Sequence, residues 1–481
     1  MNSKLRKLLY KQFHIKEHNT SVRKEFLAGV TNYFTTIYLL LLVPEILIGA
    51  FPGAIDSNGD IVRSLEVLDG ITAGEMIVAL TAVSFIVAGI SSVAMGTFIN
   101  IPFVLGPSLG VATFITYTVC MMFGYSYYQA LAIVFISGVG FLALSVTGLE
   151  EKLSNAIPLN LKFAVTAGIG FFIAFTGLQK AHILEVDADG AMTLFSVVDF
   201  SDLHTKSAVL ALVVVLLIAV MLKRNIHGAI FFGKLICIVL AIPLGLISEV
   251  DNSAFEYGFH FDEVMFRLDF NGLIDLSDGT TAFSSVVSLT IVVFSILIMD
   301  VFETMSMIIA AENYVKTSNA DVVIKKRIPQ ILETDSGATI AGSMLGMTTV
   351  STYIESTAGI VEGGRTGLTS VVTGCLFLFS VFITPLAAMV PSAATATTLI
   401  MAGIMMISVI RHIDFEDYVE AVPAFLTMFT MPMTNSLLMG IAIGVISYVI
   451  IQALNGKALK LNYLLYIMAL LLFIVLYFVP R

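Results

Sequence analysis

The sequence predicts an all-α polytopic membrane protein built as a seven-plus-seven inverted repeat. Of its 481 residues, 57% are hydrophobic and only 12% are charged, whereas soluble domains carry roughly 25% charged residues. Apolar stretches close to the ~20 residues that cross a bilayer recur along the whole chain. A long acidic loop at 249–283 divides them into two sets. An odd number of spans in each set gives the two halves opposite orientations in the membrane.

About fourteen transmembrane spans are predicted, and three of them are short enough to leave the count open by one or two. Those before the acidic loop are 24–50, 75–97, 103–123, 127–147, 160–181, 206–223 and 228–248. Those after it are 284–312, 331–347, 350–365, 366–388, 391–410, 418–432 and 433–453, and an additional apolar run follows at 462–479.

Basic residues place the N-terminus in the cytoplasm, because Lys and Arg accumulate in cytoplasmic loops. If successive spans then cross the membrane in alternating directions, the basic loops all lie on the cytoplasmic side. The acidic loops at 51–74, 182–205 and 249–283 lie outside. We expect a multi-pass protein of the cell (inner or plasma) membrane. The predicted parts are a cytoplasmic N-terminal segment 1–23, a first repeat 24–248, an extracytoplasmic loop 249–283, a second repeat 284–453 and a C-terminal apolar segment 454–481.

Two interrupted spans indicate where a ligand binds. The third span contains residues that prevent a continuous helix, at Pro102, Gly106, Pro107 and Gly110. In the second half, residues 347–369 read MTTVSTYIESTAGIVEGGRTGLT, which is too polar to face lipid. Non-helical backbone at membrane depth is tolerated only where protein or a water-filled cavity surrounds it. Paired interruptions of this kind are typical of a transporter binding site.

Carboxylates inside spans are costly and are therefore functional candidates. Asp300 and Glu303 lie three residues apart in the eighth span, so they share a helix face, and Thr304 follows directly. Glu355 forms, with Thr352, the pattern of a capping box at a helix start. We interpret Glu355 as both cap and ligand, and Glu303 as the better proton carrier because its surroundings are more apolar.

Other polar or soft side chains near the span ends have structural interpretations. Asp335 is predicted to cap the N-terminus of the ninth span, and Glu45 to lie at the membrane interface. Arg365 is predicted to anchor the cytoplasmic end of the tenth span. Met405 and Met406 are predicted to serve packing.

No enzyme, metal or nucleotide site is indicated. The chain contains no HExxH, GxSxG or P-loop motif. Its cysteines, Cys120, Cys237 and Cys375, lack the spacing of a disulfide pair or a metal site. The net charge of −10 arises from acidic loops, and no nucleic-acid partner, cofactor or catalytic residue is expected. Without a nucleotide-binding domain, transport would use an ion gradient.

The segment STYIESTAGIVEGGRTGLTSVV, at 351–372, resembles the signature of the AzgA-type guanine/hypoxanthine/adenine permeases, within the nucleobase–cation symporter 2 assemblage. The resemblance covers almost the whole chain. It includes HNTSVRKEFLAGVTNYFTTIYLLLLVPEIL near the start, TAGIGFFIAFTGLQKA in span five and DFEDYVEAVPAFLTMFTMPMTNSLLMGIAIGVISY near the end.

This resemblance implies a core domain of spans one to four and eight to eleven, and a gate domain of the other spans. It implies short antiparallel strands in spans three and ten, proton-coupled purine uptake by alternating access, and a homodimer through the gate spans. The positions that the resemblance implies for substrate binding are Glu303 and Glu355. The candidate substrate-binding residues are these two with Gly106, Pro107, Ser108, Ala112, Ser351, Thr352 and Thr304, and the candidates for proton coupling are Glu303 and Asp300.

Three positions depart from the pattern of that family. Relatives typically carry asparagine at the places of Ala112 and Val43, and Met305 makes an otherwise polar wall longer and more apolar. A site that loses hydrogen-bonding groups changes which ligands it accepts. Two alternatives therefore stay open: the same fold with another heterocycle or a small anion as ligand, and a membrane sensor that does not transport.

Overall fold

The computed structural model describes residues 10–54, 61–68, 70–147, 156–186, 192–194, 203–246, 259–274, 279–315, 327–384, 390–434, 436–457 and 461–478. These residues are mostly helical. The helices of the first half are α1 Val22–Leu47, α2 Ala73–Ala94, α3 Leu109–Thr113, α4 Tyr127–Val146, α5 Leu159–Lys180, α6 Leu203–Lys223 and α7 Ala229–Ala241. Those that follow are α8 Phe261–Val264, α9 Gly279–Val315, α10 Ile328–Met344, α11 Ser356–Val361, α12 Gly367–Ser380, α13 Ser392–Ile407, α14 Tyr418–Met433, α15 Leu437–Gln452 and α16 Tyr463–Phe478.

Every predicted span contains one of these helices, and the described residues include 9 helices long and apolar enough to cross a membrane. The described residues also include shorter apolar helices, at Leu109–Met122, Ala229–Ala241 and Tyr463–Ile474. The chain is therefore a mostly helical multi-pass membrane protein. The orientation prediction rests on basic residues of the N-terminal segment and of the loops between spans. Several of them lie outside the described residues, namely Lys4, Arg6, Lys7, Lys152, Lys316, Lys325, Lys326 and Lys460.

Six short strands form three antiparallel pairs among the described residues. β1 Glu66–Leu68 pairs with β2 Ile71–Thr72, and β4 Leu184–Val186 pairs with β5 Met192–Leu194. Both of these pairs are local. β3 Leu105–Pro107 instead pairs with β6 Val350–Thr352 from the other half of the chain. The predicted strands in the third and tenth spans are thus confirmed.

The two helix interruptions have different local causes. After α2, a π-helical turn ends at Ile99, and Asn100 adopts the left-handed conformation with φ 54°. Asparagine tolerates this region better than most residues, so the chain turns out of the helix there. After α10, the turn is made at Gly346, whose φ is 92°. Each turn leads the chain into an extended segment that forms β3 or β6.

Helices α5 and α13 approach each other closely because glycines face one another. A Cβ added at Gly403 would lie 2.5 Å from the carbonyl oxygen of Gly170. Small residues at such positions let helix backbones pack against each other within a membrane. This pair of helices forms one wall of the cavity described next.

Candidate functional site

A cavity of about 640 Å³ lies between the β3–β6 region and the α5–α13 pair. On the side of the strands it is lined by Tyr38, Leu109, Gly110, Glu303, Ser351, Thr352, Tyr353, Ile354, Glu355 and Thr357. On the opposite side the lining is mainly apolar, with Phe163, Val165, Thr166, Ile169, Ala402, Met405 and Met406, and it extends to Arg411 and His412. The volume is in the range of small-molecule sites, which is roughly 300–1,000 Å³.

The strand pair forms the polar wall of this cavity. Gly106 lies opposite Ser351 in the register, and the ladder continues with Ser108 N–H donating to the Thr349 carbonyl at 2.8 Å. At the other end, Tyr353 N–H donates to the Val104 carbonyl at 2.9 Å. Each interrupted span thereby satisfies the backbone groups of the other, as mid-membrane backbone requires.

Glu303 lies against both strand regions. Its carboxylate accepts from the Ser351 hydroxyl at 3.0 Å, and Gly110 lies directly beside it. Ser108 is the N-cap of α3, because its hydroxyl accepts from Val111 N–H at 3.0 Å. A side chain at Gly110 would collide with the Glu303 carboxylate, so glycine is needed for this close approach.

Glu355 faces the same cavity from the end of the tenth-span strand. Tyr38 of α1 donates its hydroxyl to Glu355 Oε1 at 2.8 Å. The predicted capping box is wrong: Glu355 itself is the N-cap of α11, without a side-chain capping bond. The Thr352 hydroxyl donates elsewhere, to Asp335 Oδ1 at 3.3 Å. The two acids thus present carboxyl oxygens to one space from two separately positioned elements.

Comparison with known proteins places this architecture in a family. Residues 23–443 match the model of the permease family. The chain belongs to the permease family. It is a transporter and not an enzyme. It is 32% identical to the guanine/hypoxanthine permease PbuO of Bacillus subtilis (strain 168), over 97% of this chain and 99% of the relative. It is 32% identical to the adenine permease AdeQ of Escherichia coli (strain K12), over 94% of this chain and 93% of the relative.

Solved structures share the fold of this permease at low sequence identity. The transmembrane domain of the cyanobacterium bicarbonate transporter BicA matches with a TM-score of 0.55 at 12% identity, covering 88% of this chain and 97% of that one. SLC26A9 matches with a TM-score of 0.54 at 11% identity, covering 94% of this chain and 69% of that one. At such identities the matches establish the fold alone. The family resemblance seen in the sequence is confirmed by the permease relatives.

Asp335 has a different position in the permease from the one predicted. It lies inside α10, whose N-cap is Arg327, and it is fully buried. The N-cap prediction is therefore wrong. Thr304 donates its hydroxyl to Asp335 Oδ2, and Thr352 donates to the other carboxyl oxygen. Thr304, predicted to bind substrate, is buried behind the cavity and does not line it.

Asp300 lies one helical turn before Glu303 in α9 and is buried. The Thr339 hydroxyl lies 3.2 Å from its Oδ2 atom. That hydroxyl also lies 3.1 Å from the Val350 carbonyl oxygen and accepts from Val350 N–H at 3.0 Å. Asp300 is thus connected to β6 through Thr339 and does not line the cavity.

The remaining predicted positions support the wall more than they line it. Tyr353 donates its hydroxyl to the Pro107 carbonyl at 2.8 Å, and a Cβ at Gly106 would lie 2.5 Å from that hydroxyl oxygen. The departures from the family pattern, Val43, Ala112 and Met305, are buried and do not line the cavity. These changes therefore lie in the packing around the site.

Several lining residues of the permease could not be recognised in the sequence. Tyr38 lies inside an uninterrupted apolar run, where a single hydroxyl gives no signal. Phe163 and Thr166 belong to α5, which reads as an ordinary span. Met405 and Met406, interpreted as packing residues, line the cavity. They belong to the wall opposite the carboxylates.

A second buried charge cluster lies outside the cavity. The Lys234 ammonium of α7 lies 3.0 Å from Glu45 Oε1, with side chains 2% and 0% exposed. Thr395 of α13 donates its hydroxyl to Glu45 Oε2 at 2.7 Å. Glu45, predicted to lie at the membrane interface, is buried within the protein near the end of α1. Its carboxylate joins α1 to α7 and α13, and Lys234 was not recognised in the sequence.

Proposed function

We propose that this permease takes up a purine nucleobase, of the guanine, hypoxanthine, adenine or xanthine type, by proton-coupled alternating access. The observation that carries the proposal is the pair of carboxylates, Glu303 and Glu355, that face one cavity beside the β3–β6 strands. Relatives of about the same length are named as guanine/hypoxanthine and adenine permeases. The site and the family names therefore favour the same class of ligand.

The chemistry of the cavity suits a flat heterocycle with ring N–H donors. The carboxylates of Glu303 and Glu355 accept hydrogen bonds, and charge-assisted bonds of this kind are about twice as strong as neutral ones. Ser351 and Thr352 lie on the same wall. Across the cavity, Phe163 offers an aromatic ring on which a base can pack. This combination of one polar wall and one apolar wall would orient the base by its edge.

Proton coupling is proposed to involve Glu303, with Asp300 one turn away. Ionisable groups within membrane spans commonly form proton relays. The Ser351 hydroxyl already donates to the Glu303 carboxylate at 3.0 Å, so a proton that binds to this carboxylate competes with an existing hydrogen bond. Binding of a base that donates to Glu303 would change that competition. This gives a physical route by which base and proton occupancy are linked.

We propose the finer architecture as the sequence and the family resemblance predict it. It comprises two inverted repeats, 24–248 and 284–453, with seven spans each, a core and a gate domain, a loop at 249–283 and an additional helix in 454–481. The terminal segment 1–23 would lie in the cytoplasm, and gate spans would join two copies in the plasma membrane. The cavity between β3–β6 and α5–α13 would then lie between core and gate, where alternating access needs it.

An anion as ligand is the less favoured alternative. The fold is shared with a bicarbonate transporter and an anion transporter, but two carboxylates facing the cavity would repel an anion. The two ligand classes can be distinguished by experiment, because the carboxylates of Glu303 and Glu355 would bind a base that donates hydrogen bonds but would repel an anion. A non-transporting sensor would bind a base without accumulating it.

Radiolabelled uptake in a bacterial strain without its own purine permeases tests the proposal. The wild-type chain is expected to accumulate at least one base, and a protonophore is expected to abolish accumulation. Glu303→Gln and Glu355→Gln should each reduce uptake at least tenfold at wild-type surface expression, because a charge-assisted bond is worth about 1.5–3 kcal/mol. Glu416→Gln, at an exposed position, serves as the matched control.

The assay distinguishes the alternatives by separate outcomes. Binding of a base without accumulation would favour the sensor, and uptake of an anion in place of any base would establish the altered ligand. Wild-type, protonophore-sensitive uptake by Glu303→Gln would exclude Glu303 from proton coupling. If Glu355→Gln then lost only the coupling, the two roles would be reversed.

A further inference from the structure

Asp335 is a fully buried carboxyl group behind the cavity, outside the pair of acids that faces it. It lies in the middle of α10 and ends no helix. Its two oxygen atoms have separate partners, the Thr304 hydroxyl at Oδ2 and the Thr352 hydroxyl at Oδ1, the latter at 3.3 Å. Both partners are neutral hydroxyl groups. Burying a carboxyl group on such modest compensation is costly, so its presence calls for a function.

Both hydroxyls belong to elements that build the candidate site. Thr304 follows Glu303 directly in α9, and Thr352 follows Ser351 in β6. Ser351 itself donates to Glu303 at 3.0 Å. Helix α9 and strand β6 are therefore joined at the cavity face through Ser351 and behind it through two residues of α10, Asp335 and Thr339, of which Thr339 contacts Asp300 and Val350. We call the connection through Asp335 the second connection, and among the described residues it alone joins Thr304 to Thr352.

We propose that Asp335 is a positioning residue, which holds α9 against β6 and thereby sets the distance between Glu303 and the polar wall. The inference rests on the proposed function, because that distance decides whether one base can contact Glu303 and the strand wall together. Binding constellations need their groups within about 0.5 Å of the productive geometry, held by supporting hydrogen bonds. Asp335 does not line the cavity, and it would act on the bound base through its hydrogen bonds with Thr304 and Thr352.

The conservative variant Asp335→Asn tests this role, because it keeps the size of the side chain. An amide has one acceptor oxygen and one NH₂ donor, so one of the two threonine hydroxyls loses its acceptor. We expect purified Asp335→Asn to bind its base about tenfold more weakly than the wild type, as loss of one supporting hydrogen bond would give. Ser336→Ala is the matched control, since within the described part of the chain this buried neighbour bonds only the Glu333 carbonyl of its own helix, at 3.0 Å.

A double-mutant cycle separates positioning from a general loss of stability. Thr304→Val removes one of the two connections without touching the cavity lining. The cycle pairs Thr304→Val with Asp335→Leu, which removes both acceptor oxygens. If Asp335 acts through Thr304 and Thr352, the double variant will bind the base no more weakly than Asp335→Leu alone. Additive losses in the double variant would overturn the proposal. So would a wild-type dissociation constant in Asp335→Asn, and Thr304→Val supplies the same comparison if Asp335→Asn does not fold.

Hydrogen exchange provides a readout that does not depend on the ligand. Without the second connection, the amides of Val350 and Tyr353, which donate to Thr339 and Val104, are expected to exchange several-fold faster, while Ser336→Ala leaves them unchanged. If the wild type binds none of the bases, the proposed function fails, and exchange alone decides. Faster exchange in Asp335→Asn would then support the positioning role, and unchanged exchange would overturn it.

Discussion

Replacing Lys234 by methionine leaves the Glu45 carboxylate buried without its cation. The two side chains are 2% and 0% exposed, and Thr395 then remains as a hydroxyl donor to Glu45. Removing one partner of a buried ion pair typically costs about 3–5 kcal/mol, because an uncompensated charge stays in a medium of low dielectric constant. An exposed pair of the same geometry would contribute only about 0–1 kcal/mol. The loss of stability caused by Lys234→Met is therefore expected to be about 3–5 kcal/mol, as for a buried pair.

The expected change in melting temperature follows from the size of the chain. At roughly 2.1 cal/mol/K per residue, the unfolding entropy of 481 residues is about 1 kcal/mol/K, so Lys234→Met should lower Tm by about 3–5 °C. The assay is thermal unfolding of the detergent-purified protein, with Glu45→Gln measured beside it. The double variant removes both charges, and its Tm should return to within about 1–2 °C of the wild type, since neutral replacements of buried pairs are often tolerated.

The result that would refute this reasoning is a small effect of either single variant. A loss of less than about 1 °C for both Lys234→Met and Glu45→Gln would mean that the pair behaves like an exposed one. A double variant that sums the two single losses would show that the charges do not act on each other. The matched control is Lys457→Met, because Lys457 is an exposed lysine at the end of the α15 region.

Three further predictions concern single contacts. Tyr38→Phe removes the donor to Glu355 and should weaken base binding about tenfold with little change in Tm, measured by binding to purified protein. Gly110→Ala places a methyl group against the Glu303 carboxylate and should abolish uptake at normal surface expression; wild-type uptake would contradict the described geometry. Asp417→Ala removes the N-cap of α14 and should cost about 1 kcal/mol of stability while leaving the dissociation constant of the base unchanged.

The two interruptions could be predicted because local sequence forbids a helix in both places, and the family resemblance implies short antiparallel strands there. Pro102 and Pro107 interrupt the third span, and the polar residues 348–352 interrupt the tenth. Backbone that leaves the helix in mid-membrane must find hydrogen-bond partners, and the other interruption supplies them. The prediction of Glu303 as a site residue rests instead on the cost of a carboxylate inside a span and on the family resemblance.

Interactions between distant residues could not be predicted in this way. The Thr352-x-x-Glu355 pattern indicates a local cap, but the Asp335 carboxyl group competes for the Thr352 hydroxyl from another helix. Glu45 lies near the end of a span, and the lysine that neutralises it is 189 residues away. A local pattern carries no information on such partners. The polar contacts that correct the sequence predictions are all tertiary.

The hydrogen bond from Tyr353 to the Pro107 carbonyl joins residues 246 positions apart, and this separation has a consequence for biosynthesis. When the third span enters the membrane, the extended segment at 105–107 has no partner strand, because β6 has not yet been made. Unsatisfied backbone groups in lipid cost several kcal/mol each. The nascent first half must therefore keep this segment hydrated or shielded until the second half is inserted. Truncation anywhere before residue 350 would leave it permanently unpaired, a state that membrane quality-control proteases are suited to remove.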